Sequence, residues 1–179
     1  FKTNIGTSVS QGIESYLELD VIKLFNDQPR LGSVSLYSSF SYTDARYTKW
    51  DNPSIVDDPQ KSYVGKMVEN VPRNIHRLGC SYHHETVSAS LQMSKVSSVF
   101  TDALNTIAPN ATSTIGMLNG YQIFDFSLAY KIKETYTFKF GVNNIADEQY
   151  ATRRSGGYPG PGILPGNART FSVTFGGMF

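Results

Sequence analysis

The chain has 179 residues, of which 40% are hydrophobic, 13% aromatic and only 17% charged, with a formal net charge of +1. This balance offers no electrostatic footing for nucleic acid, no run of about 18 apolar residues exists to build a transmembrane helix, and the single Cys80 cannot form an internal disulfide. Eleven Tyr and eleven Phe among many Ser, Thr and Gly suit a β-protein. A negative mean hydropathy leaves a membrane barrel open, because half of each barrel strand faces water.

Residues 1–12 are polar and read as extended. Alternation begins at Ile13, with Ile13, Leu17, Leu19 and Val21 on one face and Glu14, Tyr16, Glu18 and Asp20 on the other. Acids in such a row cannot face lipid, so that face looks into water, either a lumen or the solvent beside a soluble sheet. Asn26-Asp-Gln-Pro29 reads as a tight turn. A second strand over Leu31–Lys49 sets Val34, Leu36, Phe40 and Tyr42 against serines, and its length exceeds the about 9–11 residues a tilted membrane strand needs. A long polar loop with Asp51, Asp57 and Asp58 follows, closing on Pro72. The third strand places His76, Leu78, Cys80 and Tyr82 together. The fourth places Val87, Ala89, Leu91 and Met93 together, after a short turn at His83-His84-Glu85. A second long loop over residues 100–119 leads to a fifth strand with Phe124, Phe126, Leu128, Tyr130 and Ile132 on one face. Lys133-Glu134 turns into a sixth strand (Tyr136, Phe138, Phe140, Val142). After a Gly/Pro-rich loop, a seventh aligns Phe171, Val173, Phe175 and Phe179.

Connections therefore alternate short and long, as in outer-membrane barrels with short periplasmic turns and long external loops. The long loops fall near residues 49–72, 100–120 and 151–168. About seven strands is an odd number, and open edges are forbidden in lipid. With no export leader visible and Phe1-Lys2-Thr3 reading as mid-sequence, the expectation is a piece of a longer polypeptide.

The segment Val142-Asn-Asn-Ile-Ala-Asp-Glu-Gln-Tyr150, followed by a loop, Arg169-Thr170-Phe171 and Phe179, resembles the C-terminal end of TonB-dependent outer-membrane receptors. Asn70-Val-Pro-Arg-Asn-Ile-His-Arg-Leu-Gly79 resembles another signature of that family. The loop Arg153-Arg-Ser-Gly-Gly-Tyr-Pro-Gly-Pro-Gly-Ile-Leu-Pro165 is similar to the ferric-citrate-type branch. The resemblance implies an all-β, antiparallel transmembrane β-barrel portion: about seven C-terminal strands of a barrel of about twenty-two, its plug domain outside this chain. It implies an importer in the outer membrane of a Gram-negative bacterium that takes up a ferric chelate such as ferric citrate or another siderophore. Partners would be the TonB energy-coupling complex through the plug, barrel-assembly machinery through a last strand ending on Phe179, and outer-membrane lipid. The rivals are a TonB-dependent importer of glycans or peptides, an outer-membrane barrel enzyme or translocator, and a soluble β-sandwich binding module.

The candidate ligand contacts are Arg153 and Arg154, whose guanidinium forks suit carboxylate oxygens, with Tyr158 adding a hydroxyl. Trp50 and Tyr47 would line the same vestibule. The alternative is that the loop packs on its neighbours, its arginines paired to Asp51, Asp57 or Asp58. No catalytic constellation is recognisable, and no cofactor is expected beyond a ferric chelate carried as cargo. His83 and His84 point to opposite faces and do not form a metal set with His76. Asp57-Asp58 lacks calcium-ligand spacing. Gly156, Gly157, Gly160 and Gly162 precede no helix and make no phosphate loop.

Overall fold

The computed structural model describes residues 6–25, 32–51, 61–133, 135–157 and 160–177. In chain order these form β1 (Gly6–Asp20), a short helix α1 (Val21–Phe25), β2 (Ser33–Trp50), β3 (Asn74–His84), β4 (Val87–Val96), β5 (Tyr121–Ile132), β6 (Tyr136–Asn143), β7 (Ala151–Ser155), β8 (Gly162–Pro165) and β9 (Thr170–Gly177). Seven of the strands make one antiparallel sheet in the order β1-β2-β3-β4-β5-β6-β9, and β7 with β8 makes a separate hairpin. Sequence order is spatial order except where that hairpin is inserted, so the sheet is a meander.

Register explains why the sheet has two unlike faces. One ladder row runs Leu19, Leu36, Cys80, Leu91, Phe126, Val142, Phe171, apolar across all seven strands. The adjacent row, pointing the other way, runs Asp20, Ser35, Ser81, Ser90, Ser127, Gly141, Ser172. A slip of one residue on any strand would put a polar residue or a glycine among the leucines, so burial of the apolar face in lipid would enforce the pairing. The polar face carries its own bonds, such as Ser90 to Ser127 at 2.8 Å.

No core lies behind the apolar face. Among the described residues only Ala45, Leu118 and Val142 are buried hydrophobics, and Phe171, Val173 and Phe175 each expose about two thirds of their surface. The accessible surface is 12487 Å², whereas a compact soluble monomer of this mass would expose about 8600 Å². A sheet this greasy and this uncovered is built to be covered by something other than its own chain, which suits a barrel wall in lipid.

The elements depart from the sequence reading in three places. β1 starts at Gly6, not Ile13, because its polar first half pairs with the upper half of β2 from Trp50 to Thr43. Val21 does not extend the apolar row: the chain turns into α1, whose Lys23 N–H is capped by the Asp20 carboxylate at 3.2 Å. The loop over Arg153–Asn167 contains the β7–β8 hairpin. The expected turn at Asn26–Pro29, Glu134 of the β5–β6 turn, and the acids Asp57 and Asp58 lie outside the described residues.

Inside the polar face, Tyr37 reaches across β3 to donate to the Gln92 side chain on β4. It can do so because Gly79 lies beneath its ring, where any Cβ would collide with the Tyr37 ring atoms. The glycine thus serves a cross-strand bond rather than a turn.

Candidate functional site

The long connections all emerge at one end of the sheet, and they are joined to each other. Residues 63–73 run back along β2: Tyr47 N–H donates to Lys66 O at 3.0 Å, Gly65 N–H to Tyr47 O at 2.8 Å, and Val68 N–H to Ala45 O at 3.0 Å. Loop 97–120 closes on itself through the Val99–Leu118 bridge. The side chain of Asn105 then grips the first loop, accepting from Met67 N–H at 2.7 Å and donating to Met67 O at 2.8 Å. An amide side chain here replaces a strand neighbour for one residue.

The second loop is joined to the third by Arg154. Its guanidinium donates to three backbone carbonyls, Gly116 at 3.0 Å, Ser113 at 2.9 Å and Met117 at 3.4 Å. The β7–β8 hairpin is thereby docked on loop 97–120. Tyr150 stacks on Tyr121 at 4.2 Å between centroids and lies over Gly166, fixing the base of the hairpin. A small cleft of about 140 Å³ lies at this three-loop junction, lined among others by Asn70, Pro72, Asn119, Tyr121 and Thr152.

The turn out of β6 accounts for the Asn-Asn-Ile-Ala-Asp motif in physical terms. Asn144 is almost fully buried and left-handed, with φ 52°, a conformation asparagine tolerates better than most residues. Its N–H donates to the Asp125 carboxylate, its Nδ2 to Glu148 O and Asn167 O, and its Oδ1 accepts from Glu148 N–H. Asp147 accepts the Arg169 N–H at 3.0 Å, while the Arg169 side chain donates to Ile145 O. The outgoing and returning chains are clasped at the sheet's rim.

The predicted site residues separate into two groups. Tyr47 and Trp50 sit together at the base of the first loop, Trp50 stacked on Tyr63 at 4.0 Å and Tyr47 against both. Residues three apart on a regular strand face opposite ways. Here both face inward because the β1–β2 register shifts at Thr7/Ser8, so that Thr48 is an extra residue on β2. Gly6 makes room, since a Cβ there would lie 2.8 Å from the Trp50 ring. The Tyr47 hydroxyl donates to Glu69 at 2.6 Å. Burial first, then the carboxylate beside it, pushes this phenol up to about 12. The Trp50 indole N–H is buried and has no acceptor among the described residues.

The two arginines do different things. As neighbours on β7 they point to opposite faces; Arg154 is used up on carbonyls, not on acids, whereas Arg153 is exposed and has no hydrogen-bond or ion-pair partner among the described residues. Asp51 pairs with Lys49 at 2.6 Å. No bond or ring contact joins the Tyr47–Trp50–Tyr63 cluster to either arginine among the described residues. Tyr158 and Phe179 lie outside them. His76 and His83 each sit against a serine, Ser38 at 3.2 Å and Ser88 at 2.7 Å. Sequence reasoning missed Tyr63, Glu69, Asn105 and Asn144. Only Asn144 carried a signal, the Asn-Asn doublet where a strand must turn.

Residues 1–145 match the TonB dependent receptor-like β-barrel family. The chain belongs to the TonB-dependent receptor β-barrel family. This is a family of outer-membrane receptors and transporters, so the apolar ladder is a lipid-facing barrel wall and the serine row faces the lumen. Among solved structures, the ferric citrate transporter FecA in its unliganded form is similar with a TM-score of 0.79 and 26% identity, over 96% of this chain and 24% of that one. The ferric yersiniabactin uptake receptor FyuA from Yersinia pestis aligns at 0.70 and 18%, over 98% of this chain and 24% of that one. The copper transporter OprC aligns at 0.66 and 16%, over 99% and 24%. At the lower identities the likeness is one of fold. The TonB-dependent chain described here spans about a quarter of the length of these structures.

Proposed function

We propose that this chain forms part of the wall and the external rim of a TonB-coupled outer-membrane importer of a ferric chelate, ferric citrate or another siderophore. The observation that carries the reading is the state of the two arginines on the β7–β8 hairpin. Arg154 ties the hairpin to the neighbouring loop, and Arg153, exposed and without a partner among the described residues, sits on an element already held in place. A polyanionic chelate of iron is the kind of ligand that a preorganised fork of donors favours. Similarity to the ferric citrate transporter FecA at 26% identity supports the same ligand class. Tyr158 would add a hydroxyl; Tyr47 and Trp50 would wall the vestibule rather than touch the chelate, because their rings are engaged with Tyr63.

In this reading the chain does no covalent chemistry and needs no resident cofactor; iron enters only as cargo. The plug and TonB would supply energy coupling, and Phe179, after β9, would serve as the signal to the assembly machinery. The test is titration calorimetry on the intact receptor in detergent, comparing ferric citrate with iron-free citrate. Metal-dependent binding that falls by about 10-fold or more with Arg153→Ala, the loss of one charge-assisted contact, supports it. Equal binding of both citrates, or none of either, sinks the ferric-citrate reading and leaves the barrel standing.

A further inference from the structure

The lipid-facing rows change character toward the external end. Two outward rows above the apolar ladder, the register runs Phe40, His76, Lys95, Gln122. Above it on β2 come Tyr42, Asp44 and Arg46, on the same face. Arg73, which precedes β3, lies over the Tyr42 ring at 5.8 Å and donates to Asp44 at 3.0 Å, so it points outward too. Arg46 reaches Asp44 at 3.0 Å and Gly65 O at 3.0 Å. Three cations, Arg46, Arg73 and Lys95, thus share one outer rim with a single acid, Asp44, among the described residues. Both guanidinium groups keep about two fifths of their side-chain surface open.

The height of this cluster is its argument. Directly below stand Leu78, Met93 and Phe124, which belong in hydrocarbon; directly above are the external loops. A cationic belt at that level meets the headgroups of the lipid leaflet, where anionic groups attract Lys and Arg and where arginine matches phosphate oxygens bidentately. Asp44 pairs with both guanidiniums from the side and so competes with a phosphate for them.

We infer that Arg46, Arg73 and Lys95 form a docking site on the outer wall for the phosphate groups of an anionic lipid of the external leaflet. The inference rests on the barrel's placement in the membrane and is independent of which ligand is imported. It also makes Asp44 a competitor for the two guanidiniums, so its removal has an expected sign.

The intact receptor is reconstituted into phosphatidylcholine bilayers doped with either phosphatidylglycerol or a diphosphorylated glycolipid, then released and weighed with its retained lipids by native mass spectrometry. The wild type should retain the phosphate-bearing lipid over phosphatidylcholine. Retention should fall by roughly fivefold for each cation removed in Arg46→Ala, Arg73→Ala and Lys95→Ala. Arg46→Lys with Arg73→Lys should keep most of it, and Asp44→Asn should raise it. Heat-modifiable gel migration checks that each barrel is folded. Equal retention of zwitterionic and anionic lipid overturns the proposal, as does undiminished retention in the folded triple variant. So does full displacement of the lipid by inorganic phosphate, which would make the site one for free anions. A fall on Asp44→Asn in a folded barrel would also overturn it, leaving the cluster a purely internal clasp.

Discussion

Tyr37 and Gly79 are meaningful only as a pair. The ring spans β3 because the residue beneath it has no side chain, and the hydroxyl then finds Gln92 two strands away. Gly79→Ala should cost about 1–3 kcal/mol through overpacking, and Tyr37→Phe about 1 kcal/mol through the lost bond. In a Tyr37→Ala background Gly79→Ala should be nearly neutral, a coupling that denaturant titration of the folded barrel would read out. Tyr47 belongs to the same scale. It lies on β2 above the level at which the outward row turns charged, and its phenol is raised to about 12 by burial and by Glu69. A phenol whose folded value lies above its ordinary value of about 10 contributes stability that is fully present below pH about 10 and disappears as pH rises through about 12. Tyrosinate absorbance should show a late-titrating group that Glu69→Gln shifts back toward the ordinary value. Titration of that group at its ordinary value in the wild type would refute the assignment.

At the scale of elements, the extra residue on β2 decides which way Trp50 faces. Deleting Thr48 should restore strict alternation, turn Trp50 away from Tyr63, and remove the exciton signal of that stacked pair from the circular dichroism spectrum. An unchanged signal would mean the loop, not the bulge, positions the ring. Such a bulge has no composition to betray it: Tyr-Thr-Lys-Trp reads as plain alternation, and the register is set by β1, some forty residues earlier in the chain. The seven long strands were legible because lipid and lumen impose opposite demands on successive residues, and period two records that directly. The β7–β8 hairpin was not, since its glycines and prolines advertise turns while its pairing involves only four register positions. The division of labour between Arg153 and Arg154 was equally hidden. Two adjacent arginines look alike in sequence, and only a partner loop thirty-seven to forty-one residues earlier distinguishes them.

The molecule as a whole is a sheet with an oily side and a hydroxyl side and almost nothing buried between them. Its stability must therefore come from the medium and from the rest of the barrel more than from its own packing. Cys80, in the apolar ladder, reports on this: a spin label there should collide with oxygen dissolved in the bilayer in preference to a water-soluble nickel chelate. A label one residue on, in Cys80→Ser with Ser81→Cys, should reverse the preference. Identical accessibility at the two positions would contradict the assignment of faces.

The joint made by Arg154 has a consequence for how freely the external surface can vary. Its three acceptors are main-chain oxygens, which every amino acid supplies and which neither titrate nor attract counterions. The side chain at position 117 can therefore change without unfastening the hairpin, while Ser113, left-handed at φ 54°, accepts fewer replacements. Gly116 is the exception, held at φ +115° with Pro109 where a Cβ would stand. The rim can change its chemical appearance to the outside world while keeping one arginine and one glycine as its hidden fixtures.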